Sequence, residues 1–176
     1  MSYFNEANTV EEMLINAAGE RGWIYVEASQ VPRLTDEVFV TQWLLTALLE
    51  LNDITPEQAE QVIYKLRAAV ISCNHYDDLV AANDKFRSLL FEENSYSFGP
   101  DGDNIVIKFF HEDMTKNRCV VTNQWEFPRL SHEGGKRLDL VYLINGIPMV
   151  IGEAKTPVRP DVTWADGTTD ILHLSL

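Results

Sequence analysis

The hydrophobic pattern of this chain changes period near residue 100, and this change restricts the folds that the chain can adopt. Before it, apolar residues recur at helical spacing, as Phe39, Trp43 and Ala47 do. After it, short runs rich in Val, Ile, Phe and Tyr alternate with turn signals such as Asn145-Gly146. Helices followed by a strand meander predict an α+β fold, here an α/β sandwich with helices on one or both faces of a sheet.

Caps, spacing and turn residues place the individual elements. Capping boxes begin helices at Thr9 and at Thr55, where Pro56 takes the first helical position. The predicted helices run from Thr9 to Gly19, from Asp36 to Leu51, from Thr55 to about Val70, and from about Asp77 to Glu93. The predicted strands are Trp23–Val26, Asn104–Phe110, Arg118–Phe127, Leu138–Ile144 and Pro148–Glu153.

Length and composition favour one intracellular globular domain. The 176 residues are 45% hydrophobic, which is enough to bury a core. We therefore expect a single domain over 1–176, mainly helical through residue 100 and sheet-forming from residue 101. The apolar runs are only strand-sized, which excludes a membrane span, and the N-terminus has no signal-peptide pattern. Cys73 and Cys119 stand far apart, which fits a reducing cytoplasm.

Charge is distributed unevenly along the chain. The net charge of −13 argues, taken alone, against nucleic-acid binding, because DNA phosphates attract Lys and Arg. Residues 1–107 carry 6 basic and 18 acidic side chains, whereas residues 108–159 carry 8 basic and 6 acidic ones. The four histidines lack metal-ligand spacing, and the sequence has no P-loop, dinucleotide-binding or serine-hydrolase motif. The one remaining chemical motif lies in the basic segment.

Two carboxylates and a lysine mark the ends of two neighbouring predicted strands. Asp139 precedes the apolar run Leu140–Ile144, and Glu153-Ala154-Lys155 closes the next run, fourteen positions after Asp139. Period two puts Glu153 and Lys155 on one face of their strand. Two carboxylates and a backbone carbonyl, such as that of Ala154, form an oxygen site suited to Mg²⁺, and a lysine can stabilise charge that develops on a phosphate. These parts predict phosphodiester hydrolysis; the alternative is a cross-strand salt pair.

The arrangement resembles the PD-(D/E)XK nuclease motif. A longer series is similar to one family in particular, the N-terminal endonuclease region of the type I restriction enzyme R (HsdR) subunit. The segments that carry this similarity are Val121–Trp125, Arg137–Val141, Ile144–Pro148 and Gly152–Pro157, together with the opening Asn5-Glu6 and Thr9–Glu11. The resemblance covers most of the chain, and its second half is the more specific.

The resemblance implies a restriction-endonuclease-like mixed sheet and an Mg²⁺-dependent endonuclease domain for double-stranded DNA, in the cytoplasm of a bacterium or archaeon. Carried over by residue, Asp139 and Glu153 would be metal ligands with the Ala154 backbone carbonyl, and Lys155 the catalytic lysine. Families of this fold often place another acid on the first helix, where Glu6 or Glu11 could serve. The expected partners are methyltransferase and specificity subunits. ATP would be used only by a translocase region that this chain lacks.

The sequence departs from the family pattern in three places. Leu138 stands where proline usually precedes the aspartate, no Walker motif is present, and residues 164–171 lack the usual Gln-x-x-x-Tyr element. Only 21 residues follow Lys155, and three of them, Pro157, Pro160 and Gly167, disfavour helix. We therefore expect a fold that is incomplete at the C-terminus. The rival interpretation is a non-catalytic interaction or scaffold module of a restriction-type complex.

The metal-site hypothesis makes a geometric demand on the hairpin that carries it. With a plain two-residue loop at Asn145-Gly146, Asp139 would pair with Gly152, and Asp139 and Glu153 would point to opposite faces. One extra residue is required, either as a three-residue loop or as a β-bulge along a strand. We then expect Asp139, Glu153 and Lys155 to share a face, with the carboxylates within about 4–6 Å of each other.

Overall fold

Helices occupy the first half of the chain and long strands the second, as the change of period predicts. The computed structural model describes residues 10–71, 76–99, 102, 104–127 and 136–154. The helices are α1 (Glu12–Gly19), α2 (Thr41–Leu51), α3 (Pro56–Ile71) and α4 (Tyr76–Phe91), with short 3-10 helices at Ala28–Gln30 and Met114–Lys116. The strands are β1 (Ile24–Tyr25), β2 (Ser95–Ser97), β3 (Asn104–Val106), β4 (Cys119–Phe127), β5 (Lys136–Ile144) and β6 (Ile147–Gly152).

The chain divides into two compact units. The sheet unit consists of the described residues of Met1–Val40 and Arg118–Leu176, and the helical unit is the continuous segment Thr41–Asn117. The sheet unit therefore draws on both ends of the chain. The expectation of one nuclease-like domain over 1–176 stays a prediction. Within the described residues, no helix has the length and apolar character needed to cross a bilayer.

The sheet unit is built on a four-stranded mixed sheet in the order β1-β4-β5-β6. Strands β4, β5 and β6 form an antiparallel meander, as predicted. The short strand β1 joins from the first half of the chain and runs parallel to β4, with Ile24 opposite Val120. The expected α+β fold with a mixed, restriction-endonuclease-like sheet is confirmed.

Helix α1 packs on one face of this sheet. Ala18 forms a buried cluster with Val121 and Leu140, and Trp23 and Tyr142 pack against it. The rings of Trp23 and Tyr142 meet edge to face at 5.3 Å between centroids, an arrangement that aromatic quadrupoles favour. Apolar packing thus fixes α1 against β4 and β5, the strands that carry the candidate site.

The helical unit has a separate core. Its predicted capping box is confirmed: the Thr55 backbone N–H donates to Gln58 Oε1 at 2.9 Å, and the Gln58 N–H donates to Thr55 Oγ1 at 3.3 Å. The two strands β2 and β3 form an antiparallel pair. Among the described residues of this unit, fully buried apolar side chains include Leu44, Leu48, Ala59, Val62, Leu66, Ile107 and Phe109.

The second helix begins at Thr41 and not at Asp36, so that part of the sequence-based prediction is wrong. The Arg33 guanidinium takes the carbonyls that a helix would use, since its Nη1 donates to Leu34, Thr35 and Glu37 oxygens at 2.9–3.0 Å. The same guanidinium lies 3.8 Å above the Trp125 ring centroid. The stacked Arg33 therefore holds the loop that precedes α2 against β4, and the helix begins only at Thr41.

The strand predicted over Asn104–Phe110 is also shorter than expected, ending at Val106. Beyond it the backbone bonds to a side chain: Lys108 N donates to Asn52 Oδ1 at 2.7 Å, and Asn52 Nδ2 donates to Lys108 O at 2.9 Å. The pairing partner of this strand, β2, was not predicted. Tertiary hydrogen bonding by Asn52 therefore replaces a ladder that the apolar pattern alone suggested.

Candidate metal and nuclease site

The hairpin of β5 and β6 combines a two-residue turn with a β-bulge, and the bulge supplies the extra residue that the metal-site hypothesis requires. Asn145 and Gly146 have φ of 53° and 84°, the left-handed pair typical of a tight hairpin turn. Ile144 pairs with Ile147 and Leu143 with Pro148, but Tyr142 pairs with Val150, so Met149 is the extra residue. The prediction that one extra residue is present is confirmed in its bulge form.

The shifted register brings the two predicted acids to corresponding positions. Beyond the bulge Leu140 pairs with Gly152, and continuing by one residue sets Glu153 opposite Asp139. A Cβ on Gly152 would lie 3.2 Å from Leu140 Cβ, so glycine serves there for close approach. Residues opposite each other in an antiparallel pair share a face. Continued beyond Gly152 in this way, the register would put Asp139 and Glu153 on one face, as a shared ion requires.

Asp139 also contacts the backbone of the predicted ligand segment. The Ala154 N–H donates to Asp139 Oδ2 at 2.8 Å, and Ala154 is buried while Asp139 and Glu153 are half-buried. This bond fixes the Asp139 carboxylate beside the peptide that joins Glu153 to Ala154, one peptide before the Ala154 carbonyl that is the predicted backbone ligand. The second oxygen of the carboxylate, Oδ1, can still serve a cation.

Two of the predicted site residues, Lys155 and Glu6, lie outside the described residues. The predicted face of Lys155 therefore stays a prediction. The separation of about 4–6 Å between the Asp139 and Glu153 carboxylates also stays a prediction. Across the described part of the chain, no group of three or more His, Cys, Asp or Glu side chains is arranged to hold a metal ion. Two carboxylates completed by backbone oxygen and water are nevertheless a common Mg²⁺ shell.

Glu11 is buried and bound by two amide side chains of β4. Its side chain is 3% exposed. Gln124 Nε2 donates to both carboxylate oxygens, at 3.0 Å to Oε1 and 3.1 Å to Oε2, and Asn123 Nδ2 donates to Oε2 at 3.3 Å. We call Glu11, Asn123 and Gln124 the amide clamp. Its three hydrogen bonds satisfy a carboxylate that would be costly to bury alone.

Tyr25 extends the clamp to a surface pocket. Its hydroxyl donates to Asn123 Oδ1 at 2.9 Å. Burial, and then the negative charges of Glu27 and Glu11, raise the pKa of Tyr25, so the phenol remains a donor at neutral pH. The pocket has a volume of about 450 Å³ and is lined by Tyr25, Glu27, Ala28, Ser29, Arg33, Thr35, Asn123, Gln124 and Glu126. The negative charges of Glu27 and Glu126 disfavour the binding of a phosphate group in this pocket, because like charges repel.

The clamp residues were only partly anticipated. Glu11 was one of two candidate helix acids, whereas Asn123 and Gln124 were noted in the family-like segment without a role. A signal was present: two adjacent amides interrupt the apolar strand Cys119–Phe127. Strand period alone would put neighbouring side chains on opposite faces, so their common partner could not be deduced.

The described geometry agrees with a comparison of the sequence with protein families. The model of the family described as "Type I restriction enzyme R protein N terminus" matches residues 3–173. The chain belongs to this family. The match to the R-protein family covers the sheet unit, the helical unit and the segment that carries Asp139 and Glu153.

Two curated relatives of this chain are named as endonuclease subunits of type I restriction enzymes, in agreement with the family match. The type I restriction enzyme HindI endonuclease subunit of Haemophilus influenzae is 30% identical over 165 residues, covering 86% of this chain and 15% of the relative. The putative type I restriction enzyme MjaIXP endonuclease subunit of Methanocaldococcus jannaschii is 28% identical over 176 residues, covering 94% of this chain and 16% of the relative. The chain thus spans about one sixth of these relatives. No solved structure matches it significantly.

Proposed function

We propose that this chain is an Mg²⁺-dependent endonuclease domain of a type I restriction R subunit, which hydrolyses phosphodiester bonds of double-stranded DNA. The observation that supports the proposal is the bulge at Met149, because the register that follows it, continued by one residue beyond the Leu140–Gly152 pair, would set Glu153 opposite Asp139. If Met149 were instead paired in a regular ladder, the two carboxylates would lie on opposite faces of the sheet. A cross-strand salt pair would not by itself require this pairing of two acids.

The donor set fits the proposed ion. Asp139 and Glu153 supply carboxylate oxygens, and the Ala154 N–H bond to Asp139 Oδ2 holds the backbone at Ala154, the residue of the candidate carbonyl ligand, close to Asp139. Hard oxygen ligands in this number are what Mg²⁺ takes from a protein, with water completing the shell. When bound, the ion would polarise the phosphate and acidify a water molecule.

The chain's own groups then have separate roles. Asp139 and Glu153 hold the ion, while the Ala154 N–H keeps the Asp139 carboxylate in one orientation. Lys155, which lies outside the described residues, donates hydrogen bonds to the attacking water and to the phosphate oxygen that gains charge. In the intact enzyme we place this domain beside methyltransferase and specificity subunits and an ATP-driven translocase, in a prokaryotic cytoplasm.

The proposal is tested by isosteric removal of charge. Asp139→Asn and Glu153→Gln each should abolish site-specific Mn²⁺ binding to the chain and DNA cleavage by the assembled enzyme, with the circular dichroism spectrum unchanged. Lys155→Ala should abolish cleavage while keeping most Mn²⁺ binding. Glu50→Gln, at an exposed position of α2, is the matched control and should change neither.

Two results would contradict the proposal. Equal Mn²⁺ binding by the wild type and Asp139→Asn would favour the non-catalytic module. Cleavage at the wild-type rate in Lys155→Ala would remove the lysine from the mechanism.

A further inference from the structure

The β4–β5 ladder is interrupted at one position, opposite the candidate metal ligand. Asn123 pairs with Leu140 and Trp125 with Leu138, so Gln124 falls opposite Asp139, but these two do not form a ladder pair. Gln124 has φ of 54°, a left-handed conformation that residues other than glycine rarely adopt. Such a backbone costs free energy and persists only where its surroundings enforce it.

The hydrogen bonds of the amide clamp hold Gln124 in this left-handed conformation. Gln124 reaches both oxygens of the buried Glu11 carboxylate, and bonds to a charged acceptor are about twice as strong as neutral ones. Their contribution is of the same order as the strain at Gln124. Glu11 is the N-cap residue of α1, and this helix is itself packed on the sheet through Ala18. The clamp therefore connects the first helix to the strand position beside Asp139.

We infer that Glu11 is a positioning residue, which holds Gln124 in its left-handed conformation and thereby sets the backbone next to Asp139. The inference rests on the proposed function, since the group that is positioned is the candidate metal ligand. A change of φ at Gln124 would rotate the peptide that adjoins Asp139 and shift the strand pairing there. This role differs from that of a third ligand, and no group of three His, Cys, Asp or Glu side chains among the described residues is arranged to hold a metal ion.

A glycine rescue experiment separates positioning from ligation. Glycine adopts positive φ at little cost, so Gln124→Gly should keep the conformation without the clamp. Mn²⁺ affinity is measured on the 176-residue chain by calorimetry and electron paramagnetic resonance, counting only the binding that Asp139→Asn removes. We expect Glu11→Gln to weaken this binding by about tenfold, a usual effect of residues behind a metal ligand. The combination of Glu11→Gln with Gln124→Gly should restore most of it.

Three outcomes would overturn the inference, and each is recognisable. If Glu11→Gln weakens Mn²⁺ binding equally in the wild-type and the Gln124→Gly background, Glu11 acts as a ligand. If Glu11→Gln lowers only the melting temperature and leaves Mn²⁺ affinity unchanged, the clamp is merely structural. If the wild type binds Mn²⁺ no better than Asp139→Asn does, the proposed function fails first, before any clamp variant is considered. Glu12→Gln, at the exposed next position of α1, is the control and should match the wild type.

Discussion

At the scale of single residues, the candidate site depends on side chains that break the regular pattern of a strand. Asn145 has a positive φ, and its Oδ1 accepts from the Arg118 N–H at 2.8 Å. Gln124 has a positive φ and bonds to Glu11. In both cases a polar side chain with a fixed partner supports a backbone conformation that costs free energy. Local strain and its compensation thus lie on the strand beside Asp139, at Gln124, and in the turn that ends the Asp139 strand, at Asn145.

Tyr96 gives the helical unit a testable dependence on pH. The side chain is 3% exposed, its hydroxyl has no hydrogen-bond partner among the described residues, and burial raises its pKa to about 12. A tyrosine in the unfolded chain ionises near pH 10. Between about pH 10 and pH 12 the unfolded state therefore binds fewer protons than the folded state, and the free energy of unfolding falls as the pH rises. Below pH 10 the phenol is protonated in both states and its contribution is constant.

Tyr96→Phe should remove this alkaline loss. It should also raise the free energy of unfolding at neutral pH by about 1 kcal/mol, because a buried hydroxyl without a partner is costly. Urea unfolding of both proteins between pH 8 and roughly pH 11.5 measures the difference, in a range where the shift in Tyr96 dominates the comparison. Tyr64→Phe, whose side chain is 74% exposed, is the control. Parallel stability curves for wild type and Tyr96→Phe would show that the hydroxyl is solvated.

At the scale of elements, the sequence predicted most of the regular helices and strands. It predicted few of the positions where a helix starts late, a strand ends early or a strand carries a bulge. Strands β4, β5 and β6 were found from their apolar runs, and α3 from its capping box, because these signals are local. The start of α2 and the end of β3 were missed because both depend on long-range contacts: Arg33 is held by the distant Trp125 ring, and Asn52 bonds to Lys108. The bulge was required by chemistry, but its place at Met149 depends on side-chain packing that periodicity does not encode.

The bulge supports a prediction about deletion. Removing Met149 turns the hairpin into an unbroken ladder, in which Ile147 still pairs with Ile144 and Glu153 still falls opposite Asp139. We therefore expect the deletion variant to fold and to keep Asp139-dependent Mn²⁺ binding. An alanine inserted after Met149 should instead move Glu153 one position along, to the other face, and abolish that binding. A folded deletion variant without Mn²⁺ binding would mean that the bulge does more than set the register.

At the scale of the whole molecule, the site joins the two ends of the described chain. Glu11 contacts Asn123 and Gln124, which are more than a hundred positions away, while the helical unit between them is continuous. The sequence predicted the two kinds of structure in chain order, helices and then sheet. It could not predict that α1 and β1 belong to the sheet unit, because only long-range contacts such as the parallel pairing of β1 with β4 determine this.

This connectivity predicts an asymmetry between the units when the chain is cut. The segment Thr41–Asn117 contains the whole core of the helical unit and should fold by itself, with a free energy of unfolding of about 3–5 kcal/mol as for other small domains. Its one tryptophan, Trp43, is 7% exposed, so its emission should shift to the red on urea unfolding.

A chain that begins at Thr41 lacks α1, β1 and Glu11, and only its helical unit should unfold cooperatively, since β4 loses the packing of Ala18 and the bonds of the clamp. Circular dichroism and tryptophan fluorescence of both fragments measure this. A random-coil spectrum for Thr41–Asn117, or a Trp43 emission that urea does not change, would show that the helical unit depends on the sheet unit for its fold.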